Sequence, residues 1–147
     1  MKKTVSLILA LVMCISLCAC GSNSKNTPDP NENKILITSD MEDRFIEVLA
    51  TKIDRDLLKQ MNTFATNRKN DDWEGWRNFS EFTRYTTTDM EMIDSYTARV
   101  YGKVFGNSVY GDPISCNFQI DAWCEEDEQK PYGFSVEVSY GLTPELN

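Results

Sequence analysis

Histidine is absent from the 147-residue sequence. This absence removes the side chain that most often acts as a general base near neutral pH and most often ligates zinc or copper. It also excludes every Ser-His or Cys-His dyad. The sequence contains neither a Gly-rich phosphate-binding loop nor a nucleophile elbow. These absences exclude the commonest hydrolases and metalloenzymes, and they predict a protein without cofactor or metal.

Positive charge is also scarce. The chain has 15 Lys and Arg residues against 23 Asp and Glu residues, which gives a formal net charge of −8. Nucleic acids and anionic lipid headgroups repel such a surface electrostatically. The composition therefore predicts no nucleic-acid partner, and any attachment to a membrane must come from a feature other than a basic patch.

The first nineteen residues have the three parts of an export signal: Lys2 and Lys3, the uncharged run "VSLILALVMCISL", and then small residues. The apolar run is shorter than the roughly 20 residues of a stable membrane-spanning helix. The pattern therefore predicts a signal peptide over residues 1–19. Its removal would take away two lysines and move the formal charge from −8 to −10.

The end of this signal, Leu17-Cys18-Ala19-Cys20 followed by Gly21, resembles the lipobox of bacterial lipoproteins. The resemblance implies that a diacylglycerol is attached to the Cys20 thiol and that cleavage occurs just before this residue. Acylation with two chains is sufficient for stable anchoring. The implied location is the extracytoplasmic face of the cell membrane. The alternative is an ordinary signal peptide with incidental cysteines.

The mature chain is expected to consist of a tether and one domain. Residues 21–33, "GSNSKNTPDPNEN", contain two prolines and no large apolar side chain. Such a segment cannot bury enough apolar surface to offset its ordering entropy, so residues 20–33 are predicted to form a lipidated flexible tether. Residues 34–147 are predicted to form a single small α+β domain.

A long amphipathic helix is predicted from Asp40 to Thr66. Ser39 and Glu42 match a capping box at its start. The apolar residues that recur at steps of three and four are Phe45, Val48, Leu49, Ile53, Leu57, Met61 and Phe64. Because the polar face mixes both signs of charge, packing on a sheet is favoured over binding to a membrane or a partner.

A second, shorter helix is predicted to follow, with Asp71 and Glu74 at its start. The rings at steps of three are Trp73, Trp76, Phe79 and Phe82. Tryptophan pairs can stack on sugar rings, so Trp73 and Trp76 are candidates for a ligand-binding surface. The alternative is that these rings close the edge of a small core.

Beyond Ile93 the hydrophobic period changes from helical to alternating. The segments "SYTARVYGKVFG", "PISCNFQIDAWC" and "YGFSVEVSYG" each place apolar residues on one face. They predict a three-stranded antiparallel sheet with one face buried and the other exposed to solvent. With the two helices this gives a two-layer α+β fold, faintly similar to cystatin-like domains. That analogy concerns architecture and carries no function.

The solvent face of this sheet is the second candidate binding surface. This face mixes aromatic with hydrogen-bonding groups, as recognition surfaces often do, and it carries Arg99, Tyr101, Lys103 and Phe105 beside Asn117, Gln119, Asp121 and Trp123. The residues taken as binding candidates are Arg99, Tyr101 and Trp123. The site is therefore predicted to comprise these three residues, with Trp73 and Trp76 as further candidates.

Two cysteines lie in the predicted domain. Along one continuous strand Cys116 and Cys124 would be about 26 Å apart, whereas a disulfide needs Cα atoms within about 7 Å. We expect two buried, inert thiols; a broken or bulged strand that allows pairing is the alternative. The acidic run from Glu125 to Glu128 lacks the ligand spacing of an EF-hand and is predicted to be a solvated turn rather than a calcium site.

Three functions remain open. The first is a non-catalytic module that binds an envelope protein or glycan, and the second is a carboxylate-dependent envelope hydrolase with two acids about 5–10 Å apart. The third is an accessory subunit of an envelope complex, which would expose an unusually large apolar patch, expected near Trp73 and Trp76.

Overall fold

The computed structural model describes residues 30–147. The elements, in chain order, are β1 (Lys34–Ile35), α1 (Ser39–Asn70), β2 (Phe79–Met92), β3 (Thr97–Ser108), β4 (Pro113–Glu126) and β5 (Phe134–Leu142). The predicted signal peptide, the lipobox at Cys20 and most of the tether lie outside the described residues. Within residues 30–147, α1 is not apolar enough to cross a membrane.

Strands β2 to β5 form an antiparallel meander in which each strand pairs with the next. The short strand β1 also pairs with β4, where Ile35 lies opposite Cys124. One edge of β4 at Cys124 is occupied by Val136 of β5. On the other edge, β3 begins opposite Trp123. It follows that β1 lies in line with β3, on the same side of β4, and pairs with the end of β4 that β3 does not reach.

The core lies between α1 and one face of the sheet. The helix contributes a stripe at steps of four: Phe45, Leu49, Ile53, Leu57, Met61 and Ala65. The sheet contributes alternate residues of β3 and β4: Ala98, Val100, Val104, Cys116, Phe118, Ile120, Ala122 and Cys124. The helix contacts both outer strands, β2 and β5. The predicted long helix is present and continues four residues beyond Thr66, to Asn70.

The predicted capping box is wrong. Ser39 is already helical, the N-cap is Thr38, and no side chain hydrogen-bonds at this cap. The amide of Met41 instead donates to the carbonyl of Thr38 at 3.0 Å. The acidic residues Asp40 and Glu42 lie in the first turn, where they interact favourably with the helix dipole.

The predicted second helix is also wrong. Asp71 ends α1 instead of starting a helix, and the chain becomes a strand at Phe79. The register of β2 against β3 shifts between Phe79 and Glu81 and again between Phe82 and Arg84. A bulge adds one residue to a strand, so residues three apart return to the same face. The step of three between Phe79 and Phe82 therefore reflects a bulged strand.

The predicted three-stranded sheet is a five-stranded sheet. The three segments predicted as strands are β3, β4 and β5, and their alternation of buried and exposed residues matches the prediction. The strands missed are β2, hidden by its bulges, and β1, which has two residues and therefore no period. The cystatin-like analogy rests on the incorrect element order and is withdrawn with it.

Candidate functional site

The face of the sheet opposite α1 is open to solvent in the described part of the chain. Directly paired residues form rows across this face. One row joins Arg99 to Asp121, and the next joins Tyr101 through Gln119 to Gly141. A third row joins Thr86 through Lys103 to Asn117. The open face therefore brings together side chains that are distant along the chain.

A groove with a volume of about 840 Å³ crosses the middle of this face. It runs over all four long strands, from Thr86 and Thr88 on β2 to Gly141 on β5. Its polar walls are the amides of Asn117 and Gln119 and the hydroxyl of Thr143, and the rings of Tyr101 and Phe105 border it.

Gly141 keeps one end of the groove open. It pairs directly with Gln119, yet a Cβ atom added at Gly141 would meet only the carbonyl oxygen of Gln119, at 3.7 Å. That is an ordinary van der Waals distance. The fold therefore tolerates a side chain here, and its absence leaves the space open for a ligand.

Lys103 supplies the positive charge of the groove. No Asp or Glu lies among the residues that line it. Among the described residues, Lys103 forms no ion pair within 4.0 Å. An ammonium group beside hydroxyls and amides, without a competing carboxylate, can bind an anionic group of a ligand.

Two further cationic groups lie near the groove: Arg84 stacks on the ring of Phe105 at 4.0 Å without an ion pair among the described residues, whereas Arg99 is neutralised by Asp121. Arg99 donates two hydrogen bonds to Asp121, with lengths of 2.6 and 3.1 Å. These bonds lower the pKa of Asp121. Tyr101 donates its hydroxyl to Glu91 at 2.7 Å, and this bond is the main cause of the raised pKa of Tyr101. Tyr101 is therefore held by Glu91 at the border of the groove.

We expect Arg99→Met to destabilise the fold at neutral pH but not in strong acid. Asp121 has a folded-state pKa below its ordinary value of 3.8, because Arg99 stabilises the charged form. The stability from this pair is therefore complete above that ordinary value and is lost as pH falls through the folded-state pKa. Urea midpoints of the variant and the wild type should differ at neutral pH and converge once the pH falls below the folded-state pKa of Asp121.

The control for this experiment is Arg55→Met, which breaks a pair with Asp56 whose arginine side chain is 67% exposed. Arg99 is 29% exposed in its own pair. Solvent screens the exposed pair more strongly, so the control should change the midpoint less at neutral pH. A midpoint difference for Arg99→Met that persists unchanged in acid would contradict the assignment.

The structure places Trp123 on the same face but outside the groove. Its indole nitrogen donates to Glu125 at 3.0 Å. The ammonium group of Lys34 lies 4.9 Å from the ring centroid. Of the three binding candidates on this face, Tyr101 lines the groove, whereas Arg99 and Trp123 lie in successive rows beyond it. The other residues predicted on this face that line the groove are Lys103, Phe105, Asn117 and Gln119.

Trp73 and Trp76 do not belong to this face. Trp76 is fully buried, and its indole nitrogen donates to the carbonyl of Pro144 at 2.6 Å. Trp73 is exposed and stacks beneath the guanidinium of Arg68, a residue of α1, at 4.5 Å. The packing interpretation therefore describes Trp76, and the two indoles do not form a paired ligand surface.

The remaining candidates do not line the groove, although the Cys116 thiol lies behind its wall and donates to the carbonyl of Thr143 at 3.0 Å. Cys116 and Cys124 are free and buried in the continuous strand β4, and burial raises the pKa of Cys124 to about 11. Such thiols are poor nucleophiles at neutral pH. Glu125 and Glu126 end β4, and the acidic run continues into the turn before β5. Within residues 30–147, no three Cys, Asp or Glu side chains cluster as metal ligands.

Comparisons with protein-family models, with curated proteins and with solved structures find no match. The site therefore depends on its own geometry. Sequence reasoning missed the two outer walls of the groove. One wall is formed by Thr86 and Thr88 on β2, and the other by Gly141 of β5 and by Thr143 just after it. The run of β-branched residues in "YTTTD" favours a strand and is a signal that would have placed the first wall.

Proposed function

We propose that the protein is a lipid-anchored, non-catalytic binding module of the bacterial envelope, and that its groove takes an acidic glycan chain. The lipid anchor is supported by the lipobox-like residues Leu17-Cys18-Ala19-Cys20. The ligand class is supported by one observation above all. The groove contains an unpaired ammonium, that of Lys103, and no carboxylate.

The chemistry of the other lining groups fits a sugar polymer. The amides of Asn117 and Gln119 both donate and accept, as sugar hydroxyls require. The rings of Tyr101 and Phe105 offer apolar surface to the carbon skeleton of a sugar. The ammonium of Lys103 would make charge-assisted hydrogen bonds with a sugar carboxylate. Because the groove is open and crosses four strands, it suits an extended chain.

Binding accounts for this groove better than hydrolysis does. A glycoside hydrolase of the usual kind places two carboxyl groups about 5–10 Å apart on either side of the scissile bond. The residues that line the groove include no Asp or Glu. The same groove is therefore proposed to hold a glycan without cleaving it.

The test is a calorimetric titration of the full chain in detergent micelles with an oligosaccharide of uronic acids. We expect Lys103→Met to weaken binding roughly tenfold, the effect of losing one charged hydrogen bond. Gly141→Leu should abolish binding by filling the groove. The circular dichroism spectrum should remain unchanged, since the space beside Gly141 is open.

Lys130→Met is the matched control, because Lys130 is an exposed lysine in the turn before β5 and does not line the groove. This variant should bind like the wild type. Equal binding of a neutral oligosaccharide of the same length would rule out the acidic ligand class. Unchanged affinity in Gly141→Leu would rule out the groove itself.

A further inference from the structure

The two halves of the outer strand β2 differ in whether side chains of α1 hydrogen-bond to their backbone. In the first half, the side-chain amide of Asn62 donates to the carbonyl of Phe82 and accepts from the amide of Phe82, at 2.9 and 2.8 Å. Lys69 also donates to the carbonyl of Phe79 at 3.1 Å. Side chains of α1 thus occupy this half of the edge, as a neighbouring strand would.

The second half of β2 is uncovered. All seven residues from Thr86 to Met92 are exposed. No side chain of another described element hydrogen-bonds to their backbone, and the amide of Met90 donates to the carboxylate of its neighbour Asp89 at 2.9 Å. An uncovered strand edge with free backbone groups is a template for pairing with another strand.

Apolar side chains surround this uncovered half. Met90 and Met92 are 42% and 48% exposed, and Ile93 beyond the strand is 42% exposed. Ile46 of α1 is also exposed, and it borders a cavity of about 420 Å³ together with Met90. The uncovered half of β2 is therefore flanked by exposed apolar side chains of the same strand and of α1.

The backbone direction of this half follows from its register against β3. The partners of Phe82, Tyr85 and Met90 in β3 are Gly106, Val104 and Val100. These partners are separated by even numbers of residues, so they lie on the same face of β3. Phe82 turns its amide and carbonyl outward, toward Asn62. Equivalent positions along a strand share this direction, so Tyr85 and Met90 also turn their amides and carbonyls outward.

An extra residue makes β2 complementary to itself. The register shifts between Thr87 and Asp89. This bulge allows an antiparallel copy of the strand, related by a twofold axis between Thr87 and Thr88, to place Tyr85 opposite Met90 with both backbones in hydrogen-bonding orientation. The same alignment places Arg84 of each copy opposite Glu91 of the other on the solvent face, so this pair occurs two times.

We propose that the uncovered half of β2, together with Arg84 and Tyr85 just before it, pairs antiparallel with the β2 strand of a second copy, so that two sheets become one continuous sheet. Within one copy Arg84 stacks on Phe105 and Glu91 accepts from Tyr101, but neither forms an ion pair among the described residues. In the proposed pair each of these charges lies opposite the complementary charge of the other copy. On the opposite face Met90 of one copy lies beside Tyr85 of the other, whose ring is held in its own chain by Phe118 and by a hydrogen bond from its hydroxyl to Asp54. A second copy is preferred over an unrelated strand because this charge pattern matches itself.

Disulfide trapping in intact cells that produce the full chain tests this arrangement. Thr86 lies opposite Asp89 of the second copy in the proposed register, at about 4.5–5.5 Å between Cα atoms, which a disulfide accommodates. The variant Thr86→Cys with Asp89→Cys should yield, on addition of an oxidant, a band at twice the chain mass. Ser139→Cys on the other outer strand, β5, measures random collision.

Charge reversal in the same background tests the register. Arg84→Glu or Glu91→Arg alone turns two attractions into two repulsions and should lower the trapped fraction roughly tenfold, whereas the two together should restore it. Glu81→Arg reverses an exposed charge in the covered half of β2 and should have no effect. Trapping no greater than in Ser139→Cys, failure of the double reversal to restore it, or a band of another mass overturns the proposal.

Discussion

Replacing Trp76 with alanine should lower the free energy of unfolding by about 3–5 kcal/mol, the range for truncating a large buried aromatic residue. The indole is fully buried and packs against Phe79 and Phe82 at centroid distances of 5.8 and 6.2 Å. Its truncation would also leave the carbonyl of Pro144 without its donor. Denaturant unfolding, followed by circular dichroism, measures the loss.

Trp73→Ala is the matched control, because it removes the same side chain three residues earlier. Trp73 is 43% exposed, and its stacking with Arg68 is a surface cation–π contact worth about 0.5–1 kcal/mol. The control should therefore cost no more than about 1 kcal/mol. Equal losses in the two variants would show that Trp76 does not carry the packing assigned to it.

Replacing Gly106 with alanine should destabilise the protein by about 3 kcal/mol, since overpacking a close backbone contact forces the chain to move. An ideal Cβ atom at Gly106 would lie 1.8 Å from the carbonyl oxygen of Glu81 and 2.7 Å from the Cα atom of Phe82. Both obstacles are backbone atoms of the bulged strand β2, so they cannot rotate away. The free energy from urea unfolding reports the effect.

Gly141→Ala provides the comparison, because both glycines lie in or beside paired strands without a positive φ angle. At Gly141 the nearest obstacle to a Cβ atom is 3.7 Å away. Stability should therefore stay within about 1 kcal/mol of the wild type or rise slightly, since alanine reduces the entropy of the unfolded chain. A stable Gly106→Ala variant would mean that β2 does not approach β3 as closely as described.

The parts of the fold that were predictable are those whose period is regular. Helix α1 repeats its buried residues every four positions from Phe45 to Ala65. Strands β3 and β4 alternate without interruption, and so their buried faces follow from the sequence. In β2, three register shifts break the alternation. A bulge depends on the partner strand, and the local sequence of "FSEFTRY" imitates a helix instead.

The candidate site was predictable only where it lies on regular strands. Tyr101 was assigned to the solvent face by its position in β3, and the structure places it at the groove. Gly141 gives no such signal, because its importance comes from its pairing with Gln119, a partner 22 positions earlier in the chain. The width of the groove therefore depends on which residues of β4 and β5 pair with each other. The hydrophobic periodicity of the sequence does not reveal this pairing.

The contact between Asn62 and Phe82 has a consequence for the proposed pairing of two chains. By occupying the backbone of Phe82, this amide confines strand pairing to the distal part of β2. The contact proposed there uses the same surface on both copies, and such isologous contacts close on themselves. In the proposed pair, each β2 edge is therefore used once, and the side chains of α1 prevent the first half of this edge from pairing with a third chain.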